Sequence, residues 1–209
     1  MPSRFLLLRT FSPVCPYLFP KDFVIRQLLT IFTKKRRKYR EEMIIFVSRF
    51  KRMSDIMVRK AGKRDIQAII ELLHQVNMVH HVIRPDLFKP YTTKYNEQEL
   101  DALLDDDSKP VFVYDNGKVL GHAFCQVTMV KDDQLLQDIK TLYIDDICVD
   151  EKARGKHVGK ALYEFVRDYA KSIGCYNITL NVWEGNDAAH HFYRNMGMKV
   201  QKTGMEAIL

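Results

Sequence analysis

Between Leu142 and Leu162 the chain reads as a strand, a short basic loop and a helix, and this succession limits the available folds more than any other stretch. The apolar segment Leu142 to Val149 stops at the acidic pair Asp150 and Glu151. Lys152, Arg154, Gly155, Lys156, His157, Gly159 and Lys160 follow within a few residues. Val158, Leu162, Phe165, Val166, Tyr169 and Ile173 then recur on one helical face, which closes at Gly174. A loop opening directly into a helix presents unpaired backbone N–H groups at the positive end of the helix dipole, where a pyrophosphate can be held. Two phosphate loops are excluded on spacing. Lys160 is followed by Ala161, not by the serine or threonine of the nucleotide-hydrolase loop, and the three glycines of the dinucleotide fingerprint are missing.

The downstream sequence narrows the choice. Residues 176–183 alternate with period two, and Asn186, Ala189, Phe192, Tyr193, Gly197 and Met198 follow at spacings that form a second pattern. The segment Arg154 to Gly159 resembles motif A of the GNAT superfamily of N-acetyltransferases, Gln/Arg-x-x-Gly-x-Gly/Ala, with His157 where that pattern has its first glycine. The second set resembles the family's motif B, Asn-x-x-Ala-x-x-Phe-Tyr-x-x-x-Gly-Phe/Met. Both stand in the family's order and separation, and the resemblance covers roughly Ile56 to Leu209.

The resemblance implies an α/β (α+β) fold: a mixed central sheet split between strands four and five, with helices on both faces. It implies acetyl-CoA as co-substrate. Its pyrophosphate falls to Arg154, Gly155, Lys156, His157, Val158, Gly159 and Lys160, and its pantetheine arm to backbone groups of Ile147 and Val149, with Asn186 as helix cap and further contact. No metal is expected, since the adjacent His80 and His81 lack the i,i+3 or i,i+4 placement that lets two rings converge from one helix. Tyr193 takes the place of the family's acid for the leaving thiolate. The diamine acetyltransferase branch carries an acidic pair at this point of strand four, which makes Asp145 the candidate base and Asp146 the candidate contact to a cationic acceptor. Both acids can face one cleft only if a bulge interrupts the alternation of the strand. His81, Arg84 and Phe88 fall where the family builds part of its acceptor pocket. Asn181 stands where some members have a glutamate, and an amide cannot act as a base.

The chemistry is consistent with these types. An acceptor amine of pKa ~10.4 is almost wholly protonated at neutral pH, so a proton acceptor is required. A carboxylate beside an ammonium raises the amine's pKa, which opposes direct abstraction unless the site is dry or a water carries the proton. Cys148 lies on the strand face opposite Ile147 and Val149 and reads as buried, so the amine is expected to attack the thioester directly. Trp183 reads as packing, and His190 and His191 as helix surface.

Composition divides the chain. Residues 1–53 hold 13 Lys and Arg against three acids, whereas the remainder holds 20 against 23, so the overall charge of +7 belongs to the N-terminal part. Residues 1–52, with four of the seven prolines and the run Lys34 to Lys38, read as a basic extension, and 53–209 as the acetyltransferase domain. The extension is a tail for nucleic acid or anionic lipid, a targeting peptide, or upstream sequence before a later start at Met43, Met53 or Met57. Cys15, Cys125, Cys148 and Cys175 form no CxxC pair and suggest a reducing compartment, and no apolar run approaches the ~18 residues of a membrane span. The expectation is a cytoplasmic N-acetyltransferase, a monomer or homodimer, acting on a small cationic amine or a protein amino group. A non-catalytic acyl-CoA-binding module competes with it, and nucleic-acid binding through residues 34–40 ranks below both.

Along the body, periodicity predicts a helix from Lys63 to Val79, a linker from His80 to Lys94 and a helix from Asn96 to Leu104. Two strands follow, joined by a type I′ turn at Asn116 and Gly117. A fourth strand is expected from Ile139 to Val149, and a last one from Met198 to Leu209.

Overall fold

The computed structural model describes residues 57–209, which form one compact unit. The N-terminal extension expected over residues 1–52 lies outside them. The elements are β1 (Val58–Lys60), a 3₁₀ turn (Lys63–Asp65), α1 (Ile66–Ile83), α2 (Glu97–Leu104), β2 (Val111–Asp115), β3 (Val119–Val130), β4 (Ile139–Val149), a second 3₁₀ turn (Glu151–Ala153), α3 (Val158–Ser172), β5 (Asn177–Thr179) and α4 (Asp187–Asn195). The five strands lie in the sheet in chain order. All neighbours are antiparallel except β4 and β5, which run parallel.

Alternation along the strands supplies two apolar faces. On one, Val111, Val113 and Phe124 pack with Ile69 and Leu73 of α1 and Leu100 and Leu104 of α2. On the other, Phe112, Ala123, Leu142 and Ile144 pack with Val158, Leu162 and Val166 of α3. Each such fully buried aliphatic side chain contributes about 1.5–3 kcal/mol by leaving water. Gly121 permits the close seating of α3: a Cβ there would lie 2.7 Å from the Cys148 carbonyl oxygen and 3.1 Å from Leu162.

The β4–β5 pairing is confined to Thr141–Tyr143 against Asn177–Thr179. From Ile144 onward β4 has no β5 neighbour, which is the expected split of the sheet.

Four boundaries depart from expectation. The first helix runs on to Ile83, because nothing breaks it before Pro85. The residue preceding that proline, Arg84, is driven out of helical geometry (φ −135°, ψ 71°). His80 and His81 therefore occupy the last turn of α1 and not a linker. The hairpin is not of the two-residue type I′ form. Gly117 has φ 78°, Asn116 has none of the positive φ that form needs, and the register slips between Tyr114 and Asp115. Asp115 is held instead by Arg59, whose Nη2 donates to its carboxylate at 2.6 Å. β5 is three residues long, not the eight that alternate in the sequence. No strand forms after Met198 among the described residues. Val200, Met205 and Ile208 are 70, 96 and 81 % exposed, so the apolar residues of this segment have no surface to bury against.

Candidate active site

The loop after β4 folds as the sequence suggests, with one difference. Gly155 has φ 75°, and His157, immediately before α3, also lies in the left-handed region at φ 62°, ψ 11°. That conformation costs a residue with a Cβ on the order of 1 kcal/mol, which glycine at the same place avoids. No side chain caps α3, so the first amides of the helix, those of Val158, Gly159 and Lys160, face outward from its N-terminus. Arg154, Gly155, Lys156, His157 and Lys160 are exposed around them. Gly159 faces inward, where an added Cβ would meet the ring of Phe192 at 3.6 Å and Val149 at 3.5 Å. This ties the loop to α4.

The split exposes one edge of β4. The N–H of Asp150 donates to Leu120 at 2.9 Å, and backbone groups alternate between the two edges of a strand. Cys148 and Asp146 therefore also direct their polar groups at β3, while those of Ile147 and Val149 point into the gap that β5 leaves.

A bulge lies at the acidic pair. Phe124 pairs with Asp146 but Cys125 pairs with Ile144, so Asp145 is the extra residue on β4. Ile144, Ile147 and Val149 remain on the α3 side. Asp145 and Asp146 both face the α1 side: Asp145 borders a cavity of about 270 Å³ with Lys94, Tyr95, Leu103 and Phe124, and Asp146 reaches His122. Neither carboxylate is unpaired. Lys94 Nζ donates to Asp145, and His122 Nε2 lies 2.8 Å from Asp146 Oδ2. Burial works to lower the pKa of the Lys94 ammonium, but the hydrogen bond and charge of Asp145 outweigh it and hold it above the usual lysine value. His122 is wholly buried and its Nδ1 has no hydrogen-bond partner, so the least costly state is the tautomer in which Nε2–H donates to Asp146.

Tyr193 projects from α4 against Tyr163 and Phe192, with ring centroids 6.3 and 5.0 Å away. Burial, and then the negative charge of Asp146, push its phenol well above the usual tyrosine value, so it stays protonated at neutral pH. Asn186 caps α4, accepting from the Ala189 N–H at 3.2 Å. Cys148 is buried, its thiol pushed up to about 12 chiefly by desolvation, with Sγ 3.4 Å from the Leu72 carbonyl oxygen, so it is not a nucleophile at neutral pH. The described cysteines Cys125, Cys148 and Cys175 are free thiols. Asn181 Nδ2 donates to the Tyr143 hydroxyl at 3.2 Å.

His81, Arg84 and Phe88 form a second group. His81 Nδ1 lies 2.6 Å from the Phe88 carbonyl oxygen, and the Phe88 ring meets Trp183 edge-on at 5.5 Å. The Arg84 guanidinium sits 5.6 Å over Trp183, with Asp86 at 2.7 Å and Glu206 at 2.8 Å. Its charge is thus balanced within the chain.

Residues 76–198 match the family model described as the acetyltransferase (GNAT) family. The chain belongs to that family. It is 27 % identical over 134 residues, 63 % of this chain and 81 % of the relative, to glucosamine 6-phosphate N-acetyltransferase of Arabidopsis thaliana. The crystal structure of a mutant BH1408 protein from Bacillus halodurans is similar at 30 % identity and TM-score 0.70, over 73 % of this chain and 98 % of that one. The crystal structure of the Arabidopsis thaliana glucosamine-6-phosphate enzyme has TM-score 0.54 at 26 % identity, over 72 % of this chain and 96 % of that one.

As a GNAT acetyltransferase the protein is an acyltransferase whose co-substrate is acetyl-CoA. Among the described residues no group of His, Cys, Asp and Glu is placed to hold a metal ion, and no helix is long and apolar enough to cross a membrane. Sequence reasoning missed Lys94 and His122. His122 carried a signal, being a lone histidine facing inward in an apolar strand, with the acids on the next strand. Lys94 carried none, since only the fold brings it across 51 residues to Asp145.

Proposed function

We propose that this GNAT enzyme acetylates the primary amine of a small molecule by direct attack on acetyl-CoA, in the cytoplasm. The observation that carries this reading is the coincidence, on one strand, of a bulge showing two carboxylates and an unpaired edge leading to the phosphate loop. In this reading the amides at the start of α3, with Arg154, Lys156 and Lys160, hold the pyrophosphate, and Ile147 and Val149 bind the pantetheine arm through their backbone groups. One of those amides also faces the thioester oxygen, where a single donor is typically worth ~2.7–4 kcal/mol in the transition state. Asn186 supports the arm from the α4 side.

The acceptor enters from the α1 side. Its ammonium displaces Lys94 from Asp145, loses a proton to that carboxylate by way of a water and attacks the carbonyl carbon. Asp146, held in one orientation by His122, keeps negative charge beside the incoming cation. Tyr193 protonates the departing thiolate, with geometry and a shared hydrogen bond offsetting its raised pKa. The small cavity beside Asp145 and the resemblance to an enzyme named for an amino sugar phosphate both favour a small amine over a protein chain. His81, Arg84, Phe88 and Trp183 form the outer wall of the acceptor site.

Thiol release from acetyl-CoA across a panel of polyamines, amino sugars and their phosphates, aminoglycosides and basic proteins tests the reading. Turnover with one class of small amine is the expected result. Tight acetyl-CoA binding without thiol release for any acceptor would reduce the protein to an acyl-CoA-binding module, and turnover confined to proteins would overturn the acceptor class.

A further inference from the structure

The side chain on Asp145 is itself a primary amine. Lys94 Nζ, about half-exposed, approaches Asp145 from the segment between α1 and α2, close to the ring of Tyr95. Lys60 and Lys63 also pair with acids, but those are Asp107 and Asp101, acids away from β4 that are 93 and 43 % exposed. Lys94 alone among the described ion-paired lysines meets the carboxylate at the bulge. That bulge begins two residues after Tyr143, where β4 parts from β5. An amine, a carboxylate to take its proton and the mouth of the gap are therefore brought together within one chain, as an amine acetyltransferase requires of its acceptor.

Resting on the acyltransferase reading above, we propose that Lys94 is an acetylation site of the protein itself, modified in cis from bound acetyl-CoA. The new bond joins Lys94 Nζ to the acetyl carbonyl carbon, and the bond broken is the thioester C–S bond. Of the three ammonium protons, one passes to Asp145 and on to solvent. A second ends on the CoA sulfur by way of Tyr193, and the third stays on the amide. No oxidant, reductant or further reactant is needed. The reaction is slow, because the ion pair keeps Lys94 protonated. It also changes the site: an acetylated Lys94 carries no charge, so Asp145 is left free to receive the next amine.

The test is to incubate the full chain with acetyl-CoA and no external amine, then locate acetyl groups by peptide mass spectrometry over time at several protein concentrations. The expected result is one acetyl group at Lys94, appearing at a first-order rate independent of protein concentration and at least ten-fold slower in Tyr193→Phe. Lys94→Gln, which has the neutral character of the acetylated side chain, should remove any initial lag in turnover of an external amine. Acetyl groups spread over exposed lysines such as Lys171 and Lys199 would show chemical acetylation only and overturn the proposal. An unmodified Lys94 in a chain that acetylates external amines would overturn it while leaving the acyltransferase reading intact. Absence of thiol release with every acceptor would remove that reading and this proposal together.

Discussion

The two halves of the proposed site are prepared in opposite ways. The cofactor half, from the free edge of β4 through Arg154 to Lys160, is built of backbone amides, exposed cations and a gap between strands. The acceptor half is built of side chains already matched to one another: Lys94 on Asp145, His122 on Asp146, and Arg84 on Asp86 and Glu206. A pyrophosphate meets only exposed, weakly held cations in the first: Lys156 Nζ donates to the Lys152 carbonyl oxygen at 3.0 Å, and Lys160 Nζ lies 4.0 Å from Glu164. An amine has to exchange for a partner in the second. In the proposed site, cofactor binding is therefore set mainly by local chain geometry, whereas acceptor choice depends on which incoming group can outcompete an internal ion pair.

This contrast is tested first at Tyr193, the proposed acid for the leaving thiolate. Tyr193→Phe should lower kcat by roughly 10²-fold or more while changing acetyl-CoA affinity less than two-fold, because it deletes a proton donor and keeps the ring against Tyr163 and Phe192. Steady-state kinetics beside equilibrium binding would separate the two effects. Lost binding with normal kcat would make Tyr193 part of the packing alone. Next in size, Asp145→Asn should reduce turnover of cationic acceptors by about ten-fold to 10²-fold. Its pH–rate profile should move to higher pH, since the reaction then depends on amine that is already neutral. An unmoved profile would transfer the proton to Asp146 or to water.

On the cofactor side, Arg154→Ala should weaken CoA by roughly ten-fold, the loss of one charge-assisted hydrogen bond, and leave a pantetheine fragment lacking the pyrophosphate unaffected. Equal losses for both ligands would place the phosphates elsewhere. His157→Gly should raise unfolding stability by about 0.5–1 kcal/mol, measured by denaturant titration, because glycine adopts φ 62° without a Cβ penalty. The smallest effect belongs to the internal ion pair. The folded pKa of Lys94 is raised, so its contribution to stability is fully present below the unfolded lysine value and disappears as pH rises through the folded one. Denaturation curves of the wild type and Lys94→Gln should differ slightly at neutral pH and converge at strongly alkaline pH.

Much of the cofactor half was legible in the sequence for the same reason that it is local. The strand from Ile139 to Val149, the cap at Asn186 and the end of α3 at Gly174 each follow from residues within a few positions of one another. The bulge was legible only as a condition that two adjacent acids impose on a strand, and the register at Cys125 and Ile144 meets it. What the sequence withheld is non-local. Lys94 reaches Asp145, and Arg84 reaches Glu206, only through the fold. The strand expected after Met198 shows the converse error. A strand there needs a surface to pack on, but Val200, Met205 and Ile208 find nothing to bury against.

The bulge also bears on how such a site can be gained or lost genetically. Asp145 is an added residue that leaves every neighbour on its original side: Leu142, Ile144, Ile147 and Val149 face α3 whether or not it is present. A one-codon insertion at this place therefore contributes a carboxylate without altering the core, and its deletion should give a folded protein with regular alternation and one acid fewer. The same insertion or deletion between Thr141 and Tyr143, where β4 is paired on both edges, would transpose the two faces of the strand and cost the fold.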